Sequence, residues 1–131
     1  MSKITDVTTF IKEVRGKEFP ERPRFITEGL RQDRINFMQE ELDEFKAAET
    51  LEDQVDALID LQYFLLGTVY EMGITEEQYN ECWSRVHAAN MNKKAGKKPG
   101  RSTRTVDACK PDDFKPPTFE GIFDGHGETR R

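Results

Sequence analysis

Apolar side chains recur through most of the chain at the three- and four-residue steps that are typical of amphipathic helices. The pattern predicts four helices, over residues 5–15, 27–49, 51–72 and from Thr75 to about Lys94. In the second helix the apolar stripe consists of Ile35, Met38, Leu42 and Phe45. Gly73 is expected to end the third helix, because glycine readily adopts the left-handed conformation that follows a helix C-terminus.

The third predicted helix is apolar on nearly all sides, which is typical of a helix that is buried in its assembly. No segment shows the alternation of a β-strand, so the sequence predicts an all-α fold. From Ala95 onward, glycine, proline and charged residues dominate. We therefore expect a helical domain over residues 1–94, followed over residues 95–131 by an extended arm that packs on the body or on a neighbouring subunit.

The composition indicates a helical bundle that is too lean to complete its core alone. The chain has 131 residues and a mass of 15.2 kDa, with 35% hydrophobic and 34% charged residues and a mean hydropathy of -0.79. Such a chain commonly buries its remaining apolar surface against a copy of itself. The prediction is a bundle of four to five helices completed by formation of a homodimer or homotetramer.

The charge is divided unevenly along the chain. The net charge is -5, yet residues 91–110 contain seven lysines and arginines against the single acid Asp107, so this segment is strongly basic. The segment could be a solvated tail or a nucleic-acid-binding surface, but it lacks aromatic residues on which bases would stack. We therefore expect no nucleic-acid partner, and a segment that approaches an anionic ligand of the acidic body instead.

The two cysteines and the N-terminus bear on location. Cys82 and Cys109 form neither a CxxC pair nor a zinc-binding spacing, which favours a reducing compartment. No signal-peptide core and no membrane-spanning apolar run is visible in the sequence. The expected location is the cytoplasm, without a membrane partner.

Two acidic clusters carry the candidate chemistry. The second helix contains Glu40, Glu41 and Glu44, and the third contains Asp53, Asp56 and Asp60, at spacings that place several carboxylates on one side of each helix. If the helices pack as a hairpin, these groups would face one another, and a buried unpaired carboxylate is costly. An all-oxygen ligand set favours Mg²⁺, with Mn²⁺ as a substitute. The alternative is a solvated acidic surface on a non-catalytic oligomerisation module.

Several motifs together resemble MazG-like nucleotide pyrophosphohydrolases of the all-α NTP pyrophosphatase superfamily, which includes dimeric dUTPases and phosphoribosyl-ATP pyrophosphohydrolase. They are Arg34-x2-Phe37-x2-Glu40-Glu41-x2-Glu44, then DALIDLQYFLLGT, Gly73-Ile74, and Asn90-Met91-Asn92-Lys93. The family signature is EExxE followed by ExxD, and the final Asp of the second motif falls on Asp60. Ala57 stands where the second-motif Glu would be, so Asp56, or Asp53 one turn earlier, would replace it.

The resemblance implies hydrolysis of a (deoxy)nucleoside triphosphate to the monophosphate and pyrophosphate, with Mg²⁺ as the cofactor and deoxynucleotides as the preferred substrates. It implies a metal-ligand set of Glu40, Glu41, Glu44, Asp56 and Asp60. Glu41 and Glu44 are the candidates to orient or deprotonate the attacking water. Asn90, Lys93 and Lys110 would bind the substrate's phosphates.

Overall fold

The structure, a computed structural model, describes residues 2–96 and 107–123. Its helices and strands are α1 Lys3–Glu13, α2 Glu28–Ala47, α3 Leu51–Glu71, α4 Glu76–Met91, β1 Lys94–Gly96 and β2 Asp107–Cys109. The four predicted helices and the all-α class are confirmed. Within the described ranges, no helix has both the length and the apolarity that a membrane crossing requires. Residues 97–106 and 124–131 of the predicted arm lie outside the described residues.

A serine or threonine caps the N-terminus of each of the first three helices. Its side-chain oxygen accepts a hydrogen bond from a first-turn backbone N–H that has no partner within the helix. Ser2 accepts from the Thr5 N–H at 3.0 Å, and Thr50 accepts from the Asp53 N–H at 3.0 Å. Helix α3 ends as predicted at Gly73, whose φ of 71° is the left-handed conformation that glycine adopts without strain. The helix boundaries thus follow from local sequence.

The described residues form two compact units, residues 2–76 and residues 77–123. In the first unit, α3 packs against both α1 and α2. The rings of Phe37 on α2 and Phe64 on α3 lie 5.3 Å apart, and those of Phe10 on α1 and Tyr63 on α3 lie 5.5 Å apart. The buried apolar residues of this unit are Val7, Ile11, Ile26, Ala57, Leu66 and Tyr70.

The apolar stripes that the sequence predicts as core are largely exposed in the single chain. The exposed members are Ile35, Leu42 and Phe45 of α2, and Val55, Leu58, Ile59 and Leu65 of α3, with exposed fractions between 37% and 50%. The expectation that α3 is buried on all sides is therefore not met within one chain. The reason is geometric: α2 and α3 turn different faces toward each other, and these faces carry Arg34, Glu41 and Phe64.

The connector between α1 and α2 is fastened to the C-terminal end of α3. Glu71 is 2% exposed, and its carboxylate pairs with the Lys17 ammonium at 2.8 Å. The Arg24 Nε–H donates to the Glu71 carbonyl at 2.9 Å, and the Tyr70 hydroxyl donates to the Lys17 carbonyl at 2.7 Å. These contacts secure the helix that carries the aspartates of the second acidic cluster.

The second unit contains a short antiparallel ladder that the sequence pattern did not predict. Strand β1 pairs with β2 so that Lys94 lies opposite Cys109. Three residues are too few to display alternation, so only the pairing reveals these strands. The chain then returns along α4, where Arg85 Nη1 donates to the carbonyls of Thr118 at 3.1 Å and Glu120 at 2.9 Å. The predicted division at residue 94 remains a prediction.

Candidate active site

Glu41 lies at the centre of the acidic cluster. It is 8% exposed, and its Oε1 is fully buried without a hydrogen-bond partner among the described residues. Burial raises the pKa of Glu41, and the nearby carboxylates of Glu44, Asp60, Asp56 and Glu40 raise it further, in that order of size. The four neighbours that act on Glu41 are the other four members of the predicted metal-ligand set. The α2–α3 hairpin thus brings the two sequence motifs together.

The remaining acids of the set are closer to solvent than the sequence suggested. Glu40, Glu44 and Asp56 are exposed, and Asp60 is half-buried. Asp53 is also exposed and does not contribute to the raised pKa of Glu41, whereas Asp56 does. Of the two residues that could replace the second-motif glutamate, Asp56 is therefore the one whose charge reaches the buried carboxylate.

The residues of the cluster suit a divalent cation in their chemistry. Across residues 2–96 and 107–123, no three His, Cys, Asp or Glu side chains lie close enough to hold a metal ion as they stand. However, a buried carboxylate oxygen without a donor is costly to keep charged, and a cation is the partner that removes this cost. The surrounding side chains that act on Glu41 are all carboxylates, the oxygen ligands that Mg²⁺ and Mn²⁺ prefer.

Arg34 lies on the same face of α2 as Glu41, two helical turns before it. It is buried against α3 with an exposed fraction of 3%. Its Nε–H donates to Thr68 Oγ1 at 3.0 Å, and its Nη2 donates to the Phe64 carbonyl at 2.8 Å. Burial lowers the pKa of Arg34, and the nearby Arg15 guanidinium lowers it further, while Glu71 acts in the opposite direction. The guanidinium thus connects α2 to α3 beside the acidic cluster.

The basic residues predicted to bind phosphate belong to the second unit. The ammonium groups of Lys93 and Lys110 lie 5.7 and 5.5 Å from the centre of the Phe114 ring, because the ladder places the residues before β1 and after β2 side by side. Asn90 is exposed in the last turn of α4, and its carbonyl accepts from the Lys93 N–H at 3.0 Å. The fold therefore pairs the two lysines, which are far apart in sequence.

Comparison with protein-family models gives a match to phosphoribosyl-ATP pyrophosphohydrolase over residues 7–90. The chain belongs to this family. The match covers more than half of the chain, including both acidic motifs and Asn90. Among curated proteins, none matches the chain. The expected membership of the all-α NTP pyrophosphatase superfamily is confirmed, and the family is one of pyrophosphohydrolases, which act on nucleotides.

The family match ends before Lys93 and Lys110, so their assignment depends on the motif resemblance and on their pairing at Phe114. Within the matched region, Arg34 belongs to the first motif, but the sequence pattern predicted no function for it. A signal was available, since Arg34 and Glu41 are seven residues apart and share a helix face. The pattern could not show that the face of α2 with Arg34 and Glu41 is buried, while the apolar stripe of the same helix is largely exposed.

Proposed function

We propose that this protein is a metal-dependent nucleoside triphosphate pyrophosphohydrolase that converts (d)NTP to (d)NMP and pyrophosphate, with deoxynucleotides as the preferred substrates. The observation that carries the proposal is the buried, unpaired Oε1 of Glu41 among four other carboxylates. A protein gains little stability from such an arrangement, since it surrounds a buried carboxylate that has no partner with further negative charges. In a pyrophosphohydrolase family, a site for cations and a polyphosphate accounts for it.

Glu40, Glu41, Glu44, Asp56 and Asp60 are the residues that would hold Mg²⁺, or Mn²⁺ as its substitute. A bound divalent cation supplies neutralisation of phosphate charge and a lowered pKa for a bound water. Because Mg²⁺ usually keeps several waters and needs only one or two carboxylates besides the substrate's phosphates, these five residues would leave room for the substrate to complete the coordination.

In the proposed reaction, a water oxygen bonds to the α-phosphorus and the bridging bond to the β-phosphate breaks. The bonding electron pair leaves with pyrophosphate, and the water proton goes to a carboxylate. Glu41 and Glu44 are the candidates for this role.

The direct test measures pyrophosphate release from the canonical dNTPs, the NTPs and phosphoribosyl-ATP, with Mg²⁺, with Mn²⁺ and with excess chelator. We expect release from at least one triphosphate that the chelator abolishes. Hydrolysis in ¹⁸O-labelled water should place the label in the monophosphate, because attack is at the α-phosphorus. Release of orthophosphate alone, or turnover that the chelator leaves unchanged, would refute the proposal.

Lys93→Ala is expected to raise KM or lower kcat several-fold, which corresponds to about 1 kcal/mol of lost phosphate interaction. The basis is the pairing of Lys93 with Lys110 at the Phe114 ring, which gathers positive charge for a phosphate group. Lys115→Ala is the matched control, because Lys115 is an exposed lysine of the same unit. Equal kinetics for the two variants would remove Lys93 from the site.

We further propose that a second copy of the chain covers the exposed apolar stripes of α2 and α3. Leu58 and Ile59 are 46% and 50% exposed at the middle of the α3 stripe. Leu58→Glu should therefore shift the protein to a smaller species in size-exclusion chromatography with light scattering. Asn36→Asp adds the same charge at an exposed polar position of α2 and should leave the assembly intact. A monomeric wild-type protein would refute this proposal.

A further inference from the structure

A cleft in the first unit, between α1 and the α2–α3 hairpin, is lined by aromatic rings and two arginines. Its volume is about 280 Å³, a little below the ~300 Å³ from which ligand pockets commonly begin. Phe10 and Tyr63 contribute an edge-to-face pair, and Phe37 and Phe64 contribute a tilted pair whose planes differ by 30°. Such walls suit a flat ring system more than a chain-like or tetrahedral group.

Arg34 provides this cleft with one guanidinium nitrogen, Nη1, whose two N–H groups are both unused among the described residues. Two of its three nitrogens are engaged by Thr68 and by the Phe64 carbonyl, and Nη1 forms no hydrogen bond among the described residues. Among the described residues, the only side-chain N or O atom that is both fully buried and without a hydrogen-bond partner is Glu41 Oε1. Nη1 of Arg34 also lacks a partner among these residues, so it cannot be fully buried and must reach an accessible surface. Since Arg34 is 3% exposed and lines the cleft, that surface is the cleft itself.

The nature of this donor restricts what it can bind. A guanidinium donates hydrogen bonds and cannot accept them. Carboxylates and phosphates usually engage two of its nitrogens at once, whereas Nη1 is the one nitrogen of Arg34 that makes no hydrogen bond to the described residues, since Nε and Nη2 already donate to α3. A single carbonyl oxygen on a flat ring fits better. An amino group in the same position would face the guanidinium donor to donor and leave both groups unpaired.

The cleft lies close enough to the acidic cluster for one nucleotide to reach both. Arg34 and Glu41 are both buried on the same face of α2, seven residues apart, which corresponds to about 10 Å along the helix. A ligand with its ring at Arg34 could therefore extend toward Glu41.

We propose that this cleft binds the base of the nucleotide, and that Arg34 selects bases with a carbonyl oxygen where cytosine and adenine carry an amino group. The identity of the ligand rests on the proposed function. The preferred substrates are then the uracil, thymine, guanine and hypoxanthine nucleotides. Arg34 acts as a specificity-determining residue, because its hydrogen bond is gained with one set of bases and lost with the other.

The test uses two pairs of nucleotides whose bases differ chiefly in the group that faces Arg34, dUTP with dCTP and dITP with dATP. We expect kcat/KM of the wild-type protein to favour dUTP and dITP by about ten-fold or more, the cost of one hydrogen bond to a charged donor. Arg34→Gln, whose amide both donates and accepts, should bring both ratios close to one. Wild-type ratios within about two-fold of unity would overturn the proposal.

A second variant keeps the test valid if Arg34→Gln fails to fold. A Cβ on Gly67 would lie 2.6 Å from Arg34 Nη2, so Gly67→Ala should displace the guanidinium and reduce both ratios several-fold. Gly29→Ala is the matched control, because a Cβ at this helical glycine meets no atom within 4 Å. Unchanged ratios in Gly67→Ala, with Arg34→Gln also unchanged or unfolded, would overturn the role of Arg34.

Ligand-observed NMR with dUMP and dCMP separates this inference from the proposed function, since it requires no turnover. Stronger binding of dUMP by a protein that hydrolyses no triphosphate would retain the base cleft and reject the enzymatic proposal. Hydrolysis with equal binding of dUMP and dCMP would do the reverse. Binding of neither monophosphate by a protein without base preference would reject the cleft as a base site.

Discussion

Glu41→Gln is expected to reduce pyrophosphate release by roughly 100-fold or more and also to stabilise the metal-free protein. The activity falls because the substitution removes the central carboxylate of the proposed cation site. The free energy of unfolding should rise by about 1–2 kcal/mol at neutral pH, because the isosteric amide avoids the cost of a buried charge without a partner. Urea denaturation in chelator and a pyrophosphate assay measure the two effects.

The stabilisation should depend on pH in a defined direction. The pKa of Glu41 is raised above the ordinary value of 4.5 for a glutamate, first by burial and then by Glu44 and the other carboxylates. Below the pKa of the unfolded chain, Glu41 is protonated in both states and the folded protein bears no charge penalty. As the pH rises through the folded pKa, that favourable contribution is lost. The advantage of Glu41→Gln should therefore be largest at neutral pH and disappear toward pH 4.

Two further comparisons make this prediction specific. Mg²⁺ should raise the melting temperature of the wild-type protein and have little effect on Glu41→Gln, since a ligand stabilises only the state that binds it. Asp43→Asn is the control for charge alone, because Asp43 is an exposed acid of α2 outside the cluster. A Glu41→Gln protein that is less stable than wild type, or fully active, would contradict our interpretation of the cluster.

Gly73→Ala is expected to destabilise the protein by about 3 kcal/mol or more. Gly73 has a φ of 71°, and a Cβ there would lie 2.5 Å from the Arg22 carbonyl oxygen and 3.0 Å from its carbon. Backbone atoms cannot move aside as the end of a side chain can, so the connector would have to leave the end of α3. The hydrogen bond of 2.9 Å from the Arg24 N–H to the Met72 carbonyl, which holds the connector at this place, would be lost as well.

Gly16→Ala separates the steric cost from the cost of the backbone conformation. Gly16 has nearly the same φ, 68°, yet a Cβ there meets no atom within 4 Å. This substitution should therefore cost only about 1–2 kcal/mol, the penalty of a left-handed conformation for alanine. Urea denaturation of both variants gives the comparison. Equal losses of stability would show that the contact with Arg22 contributes nothing.

The two acidic motifs were the part of the site that sequence reasoning could predict well. Carboxylates at helical spacing must share a side of their helix, so EELDE and the Asp56–Asp60 pair could be assigned to faces without a structure. The same periodicity predicted all four helices and the end of α3 at Gly73. In each case the information lies within one or two helical turns of the residue concerned.

The sequence by itself determined the helices, their ends and the two acidic faces, because backbone hydrogen bonding and side-chain periodicity are local. Only the tertiary structure decided which faces meet: Glu41 and Arg34 are buried, while Leu58 and Ile59 of the apolar stripe are exposed. It also decided that Lys93 and Lys110 share the Phe114 ring. Periodicity shows that a helix has an apolar side, but the packing of neighbouring helices determines what that side contacts.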